Sequence, residues 1–276
     1  MRRPWRTLLH ISLGLDRVTL LRTGRWQGMR TVAADRVIPV GIADQADTTR
    51  LLQHALSEAL TEISCRRAIT EVVLADQWVR YFSVTPPQNL TRLDDCRLAA
   101  TMRFQTLFGE PAERWQFSGD WHSEQPFLVC AMPKALQQML TQLALTHQFT
   151  LTSIVPHFIA AWNRYRQAIS SGQWFGVVDV HGITLGVVNQ KSISTVRQTR
   201  LPTGSVSADW LSSHVTREAL RSGLLLPGVV QLCGDVPASW LTSSGAMICR
   251  RCDAVGDDAN PEDSTAAIRL ATGGSL

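Results

Sequence analysis

One paired-thiol motif stands in the chain, Cys249-Arg250-Arg251-Cys252. Such a pair does redox work when it opens a helix after a strand, and it holds structural zinc when a second Cys or His pair completes the ligand set. Neither context is visible in the sequence, although the intervening arginines would lower a thiol pKa. His147 sits on a helical stripe with no acidic or cysteine partner at ligand spacing, so it reads as structural or surface-exposed. There is no Gly-x-Ser-x-Gly elbow for a serine hydrolase, no P-loop and no dinucleotide fingerprint. What remains are glycines and acids in short turns, Gly14 with Asp16, Asp179 with Gly182, and Gly234 with Asp235.

The elements that position those turns form a pattern that occurs twice. In the first copy, apolar runs at Leu8–Leu13, Arg17–Leu21 and Arg30–Val40 precede a helical stripe and a strand-like run, Ile69–Ala75. The stripe places Leu52, Leu56, Ala59 and Ile63 at helical spacing after Asp47, a residue able to cap a first turn. In the second copy the runs are Trp174–Val180, Ile183–Asn189 and Ser192–Arg197, followed by a helix over Val206–Leu220 and a strand over Val229–Cys233. A duplicated βββαβ unit of this kind predicts an α/β protein of two similar halves, and the unit resembles the ribonuclease H-like fold.

Between the copies, Val79–Val84 reads as a half-buried strand ended by Pro86 and Pro87. Thr91 and Asp94 resemble a capping box for a helix to Phe108, stopped by Gly109 and Pro111. Trp115, Phe117 and Trp121 lie among polar residues and read as a small insertion outside the core. Phe127–Ala131, a helix opened by Pro133, the strand Phe149–Val155 and a helix reaching Ile169 complete the first half. Ser170-Ser171-Gly172 is the clearest boundary. The expected organisation is therefore a lobe over 1–170 with an insertion at about 78–125, a second lobe over 171–252, and a tail over 253–276. The tail carries five acidic residues against one basic and is expected to be mostly disordered, with a short helix at 266–271 as an option.

At 276 residues, 45% hydrophobic and 18% charged, the chain can bury one large core or two medium ones. Its net charge of +4 is uneven, because the arginines from Arg2 to Arg30 are opposed only by Asp16. Basic residues are not interleaved with aromatics in a nucleic-acid pattern, so no nucleic-acid partner is expected. No apolar run approaches the roughly 18 to 20 residues that span a bilayer. With no signal-peptide pattern, a cytoplasmic location and reduced cysteines are expected.

Three short segments resemble the PilM and GspL branch of the actin-like superfamily, with FtsA more distant. They are Cys130-Ala131-Met132-Pro133-Lys134, Gly176-Val177-Val178-Asp179-Val180 and Leu232-Cys233-Gly234-Asp235. The resemblance implies an actin-like fold of two lobes around a nucleotide cleft, with the first hairpin turn of each half touching phosphate. It assigns Ser12, Gly14, Asp179, Gly182 and Gly234 to a residual nucleotide site. Ser12 stands where the family has a metal-side Asp, His181 where it has the glycine of the second turn, and Asp235 where it has the second glycine of the adenosine turn. A carboxylate or a bulky side chain where backbone amides should meet an anion disfavours binding. Mg²⁺-dependent phosphoryl transfer is thus expected to be lost, with weak ATP and Mg²⁺ binding as the most that is left.

The resemblance further implies a cytoplasmic scaffold of pilus or type II secretion assembly, peripheral to the inner membrane. Its partner would be the short cytoplasmic tail of a single-span inner-membrane protein, with Tyr81, Trp115 and Trp121 as candidate contacts. The alternative is a nucleotide-dependent phosphotransferase of the sugar-kinase type, for which only Asp16 and Asp179 could serve as base.

Overall fold

A computed structural model of the chain describes residues 8–23, 30–37, 45–63, 65–87, 92–190, 192–202, 204, 206–241 and 247–252. The expected tail, its optional helix, Thr91 of the capping box, and much of the basic first thirty residues lie outside them. The described residues fall into two compact units, 8–79 with 132–160 and 80–131 with 161–252.

In the first unit β1 (Leu8–Leu13), β2 (Arg17–Thr23), β3 (Arg30–Val37), β4 (Ile69–Leu74) and β8 (Thr150–Pro156) form one sheet in the order β3-β2-β1-β4-β8. β1 and β2 pair antiparallel through a tight turn, whereas β1, β4 and β8 run parallel. Parallel neighbours need crossovers. α1 (Gln45–Glu62) supplies one and buries Leu52, Leu56, Ala59 and Leu60, and α3 (Lys134–Thr146) leads into β8. Pro133 is the N-cap of α3 rather than its first residue. β1 is central, so Leu9, Ile11, Ser12 and Leu13 are all buried, as expected of a strand covered on both sides.

The second unit repeats that order. β9 (Trp174–Val178), β10 (Gly182–Asn189), β11 (Ser192–Arg200), β12 (Val229–Gly234) and β13 (Ile248–Arg251) lie as β11-β10-β9-β12-β13, with α5 (Ala208–Arg221) as the crossover to β12. Trp174, Val178, Leu185, Leu211, Val215, Leu232 and Trp240 meet in its core. β13 is too short to stand out in the sequence, and among the described residues between it and β12 lies a 3-10 turn at Ala238–Trp240.

A third sheet, β5-β7-β6, is made by β5 (Arg80–Val84), β7 (Phe127–Pro133) and β6 (Trp115–Gly119). α2 (Leu93–Phe108) packs Cys96, Ala100 and Phe104 into the same core and ends at Gly109, whose φ of 66° is left-handed. Its N-cap, Arg92, makes no side-chain cap hydrogen bond. The expected polar insertion is corrected here. Trp115 and Phe117 are two residues apart on a strand, so both project to one face, and both pack at 5.2 Å from Phe104. Residues 80–131 also group with the second half of the chain rather than with the lobe in which the sequence places them, and β5 lies beside β11.

α4 (His157–Tyr165) follows β8 directly and stops before the expected Ile169. The amide of Phe158 donates to the buried Asp76 carboxylate at 3.0 Å, which caps its first turn. Its first residue, His157, is 3% exposed and neither ring nitrogen has a hydrogen-bond partner among the described residues. Burial lowers its pKa to about 4. The folded chain therefore holds His157 neutral while the unfolded chain takes a proton near pH 6.5. Stability is full above pH 6.5 and declines as the pH falls towards 4, by about 3 kcal/mol in all. His157→Phe should fold at pH 7 and flatten this part of the pH profile in chemical denaturation; an unchanged slope would contradict the assignment.

Candidate functional site

The two halves place their first hairpin turns in matching registers. In the first unit Leu13 pairs with Val18, the Gly14 amide donates to the Arg17 carbonyl at 2.8 Å, and the amide of Ala75, just after β4, donates to the Leu13 carbonyl at 2.8 Å. In the second unit Val178 pairs with Ile183, the Asp179 amide donates to the Gly182 carbonyl at 2.9 Å, and the amide of Asp235, just after β12, donates to the Val178 carbonyl at 2.8 Å. Leu13 thus corresponds to Val178, Gly14 to Asp179, Asp16 to His181 and Arg17 to Gly182.

This register shows where Ser12 lies relative to the first turn. Ser12 lies two residues inside β1, opposite Thr19 and 2% exposed, and the turn position that matches Asp179 is Gly14. Only the second turn has a carboxylate there, and it is engaged by its own backbone. Asp179 Oδ1 accepts the amides of His181 at 2.8 Å and Gly182 at 2.7 Å. Such a side chain-to-backbone turn satisfies two donors that a phosphate oxygen would otherwise meet.

Asp179, Gly182 and Gly234 are brought together at one end of β9, β10 and β12, while Ser12 and Gly14 belong to the first unit. Gly234 has φ +87°, and a Cβ on it would fall 2.3 Å from the Val178 carbonyl oxygen. Its glycine is therefore required by the close approach of β12 to β9, independently of any ligand. Arg251 completes this end by donating from Nη2 to the Gly234 carbonyl at 3.3 Å. The sequence hides that role, because Arg251 stands inside the Cys-x-x-Cys motif. In the first unit Trp78 plays a similar part, donating from Nε1 to the Gly14 carbonyl at 3.0 Å.

The first cysteine of the thiol motif stands in a strand. Cys249 lies in β13 and Cys252 follows it, both are buried, and burial pushes the Cys249 thiol up to about 11, against the thiolate. No group of His, Cys, Asp or Glu among the described residues is arranged to hold a metal ion. His147 ends α3, where its carbonyl accepts from the Cys65 thiol at 3.7 Å.

Two of the three residues assigned to a partner are inside the fold. Tyr81 is 7% and Trp115 4% exposed. The Trp115 ring packs against Phe104, its Nε1 donates to Glu110 at 3.1 Å and the Arg80 guanidinium lies 5.7 Å from its centroid. Trp121 is half-buried against Phe127 and keeps part of its ring at the surface.

No protein-family model and no curated protein matches the chain. Among solved structures it is similar to the cytoplasmic domain of EpsL, an inner membrane component of the type II secretion system of Vibrio cholerae, with 14% identity, coverage of 96% of this chain and 93% of that one, and a TM-score of 0.59. It is also similar to a chain of the PilM-PilN type IV pilus biogenesis complex, with 14% identity, 90% and 88% coverage and a TM-score of 0.63. A Bacteroides thetaiotaomicron protein with an actin-like ATPase fold and unknown function is 9% identical over 84% of each chain, with a TM-score of 0.56. The fold is that of the actin-like proteins, two lobes built on a duplicated sheet. No helix among the described residues is long and apolar enough to cross a membrane.

Because Trp115 is a core residue, Trp115→Ala should destabilise the fold by about 3 kcal/mol, the loss of a large buried side chain. Chemical denaturation checks this, and a change below about 0.5 kcal/mol, the range of surface substitutions, would return the ring to the surface.

Proposed function

We propose that the chain is a catalytically degenerate actin-like scaffold, cytoplasmic and peripheral to the inner membrane, which binds the short cytoplasmic tail of a single-span inner-membrane protein in pilus or secretion assembly. The observation that carries this reading is the second turn, where Asp179 Oδ1 takes the amides of His181 and Gly182. A turn closed on its own carboxylate has little left to offer a phosphate, and the matching position of the first turn is a glycine without a metal-binding group. ATP with Mg²⁺ would then be a weak ligand at most, and no cofactor is required. The likeness to the EpsL cytoplasmic domain and to PilM-PilN supports assembly as the alternative employment of the fold.

β6 ends the three-stranded sheet, and a terminal strand offers its edge to an extended peptide, with affinity from backbone pairing and selectivity from neighbouring side chains. Trp121, two residues beyond β6, is a half-buried aromatic in that neighbourhood. Photo-cross-linking from position 121 in intact cells should trap a single-span inner-membrane protein through its cytoplasmic tail. Trp121→Ala should weaken binding of that tail by about 2 kcal/mol while leaving the melting curve nearly unchanged. Full-strength binding by the folded variant would contradict the assigned contact.

A further inference from the structure

After α5 the chain exposes an apolar tip that the functional reading above leaves unused. Leu220 is 76%, Leu224 39%, Leu225 92% and Leu226 59% exposed. Single exposed leucines are ordinary on a protein surface, whereas four within seven residues concentrate exposed apolar surface in one short stretch of chain. The tip is held in place at both ends. Gly223, at φ +64°, ends the helix while the Leu224 amide donates back to the Ala219 carbonyl at 2.9 Å, and Pro227 is buried. The leucines therefore project from a fixed loop.

The charges beside them have one sign. Arg217, Leu220 and Arg221 recur at three- and four-residue spacing on the side of α5 away from the buried Leu211, Val215 and Ala219, and Leu224 follows just beyond the helix. The acid of this segment, Glu218, turns inward with a side chain 6% exposed, paired with Arg197 at 3.7 Å and Arg221 at 3.1 Å. The outward surface is thus a leucine tip collared by arginines. A tip of this kind fits a fluid apolar layer under an anionic surface. It suits a protein groove less well, since protein interface anchors are drawn from Trp, Tyr and Arg, with Leu under-represented.

We propose that this loop is a membrane-contact site, in which Leu225 and Leu226 enter the headgroup and acyl boundary of an anionic bilayer while Arg217 meets lipid phosphates. It rests on the membrane-peripheral location proposed above but requires no protein partner, so the two can fail separately. The test is flotation of the purified full chain with vesicles of phosphatidylethanolamine and phosphatidylglycerol, and with vesicles of phosphatidylcholine. The wild-type chain should float with the anionic vesicles and lose that binding in high salt. Leu225→Ser with Leu226→Ser should weaken it by about tenfold or more at an unchanged melting temperature. Arg217→Gln should weaken binding to anionic vesicles alone. Absence of flotation, flotation undiminished in the leucine variant, or a wild-type dimer in light scattering that the leucine variant dissolves without any lipid binding would each overturn the proposal. Vesicle binding by a chain that captures no membrane-protein tail would uphold it and sink the scaffold reading; tail capture without vesicle binding would do the reverse.

Discussion

Two backbone hydrogen bonds of equal length fix the ends of the two sheets. The Leu13 carbonyl accepts the amide of Ala75 and the Val178 carbonyl that of Asp235, each at 2.8 Å. Each bond ties the last residue of a central strand to the residue that leaves the parallel neighbour, and so sets the parallel register and the position of the hairpin turn beside it. A slip of one residue would turn Ile11 and Leu13, or Val178, Leu185 and Leu232, away from the cores they fill. In the second unit the same constraint demands a glycine at 234, since any side chain would strike the Val178 carbonyl.

The repeated order of strands was legible because its signals are local. Short apolar runs separated by two- to four-residue turns identify β1, β2, β9 and β10, and a stripe at helical spacing identifies α1 and α5. β13 was not legible, because four residues carrying two arginines and one cysteine resemble a motif as much as a strand. The insertion misled for a related reason. Trp115 and Phe117 alternate with Gln116 and Ser118, the period of a strand with one buried face, but the run is short and its partner α2 is remote in sequence. Its grouping with the second half of the chain depends on contacts such as β5 beside β11, which no local pattern announces.

The candidate site was half legible. Gly234, Asp179 and Gly182 do gather at one end of a sheet, as the resemblance implies, yet each has an employment that needs no nucleotide. Gly234 admits a close strand approach, Asp179 closes a turn, and the Gly182 amide receives that carboxylate. A residue count cannot decide where a strand ends and its turn begins, and Ser12 lies within β1, opposite Thr19. Only the pairing of Leu13 with Val18, matched to that of Val178 with Ile183, aligns Gly14 with Asp179. These turns hold the ends of their own strands together.

That account is tested most directly by giving the purified chain ATP and Mg²⁺ and measuring hydrolysis together with the melting temperature. It predicts no measurable turnover and a stabilisation of about 1 kcal/mol or less at millimolar nucleotide. Turnover above about one per minute, within reach of even a slow enzyme, and abolished by Asp179→Ala in a chain that remains folded, would contradict it.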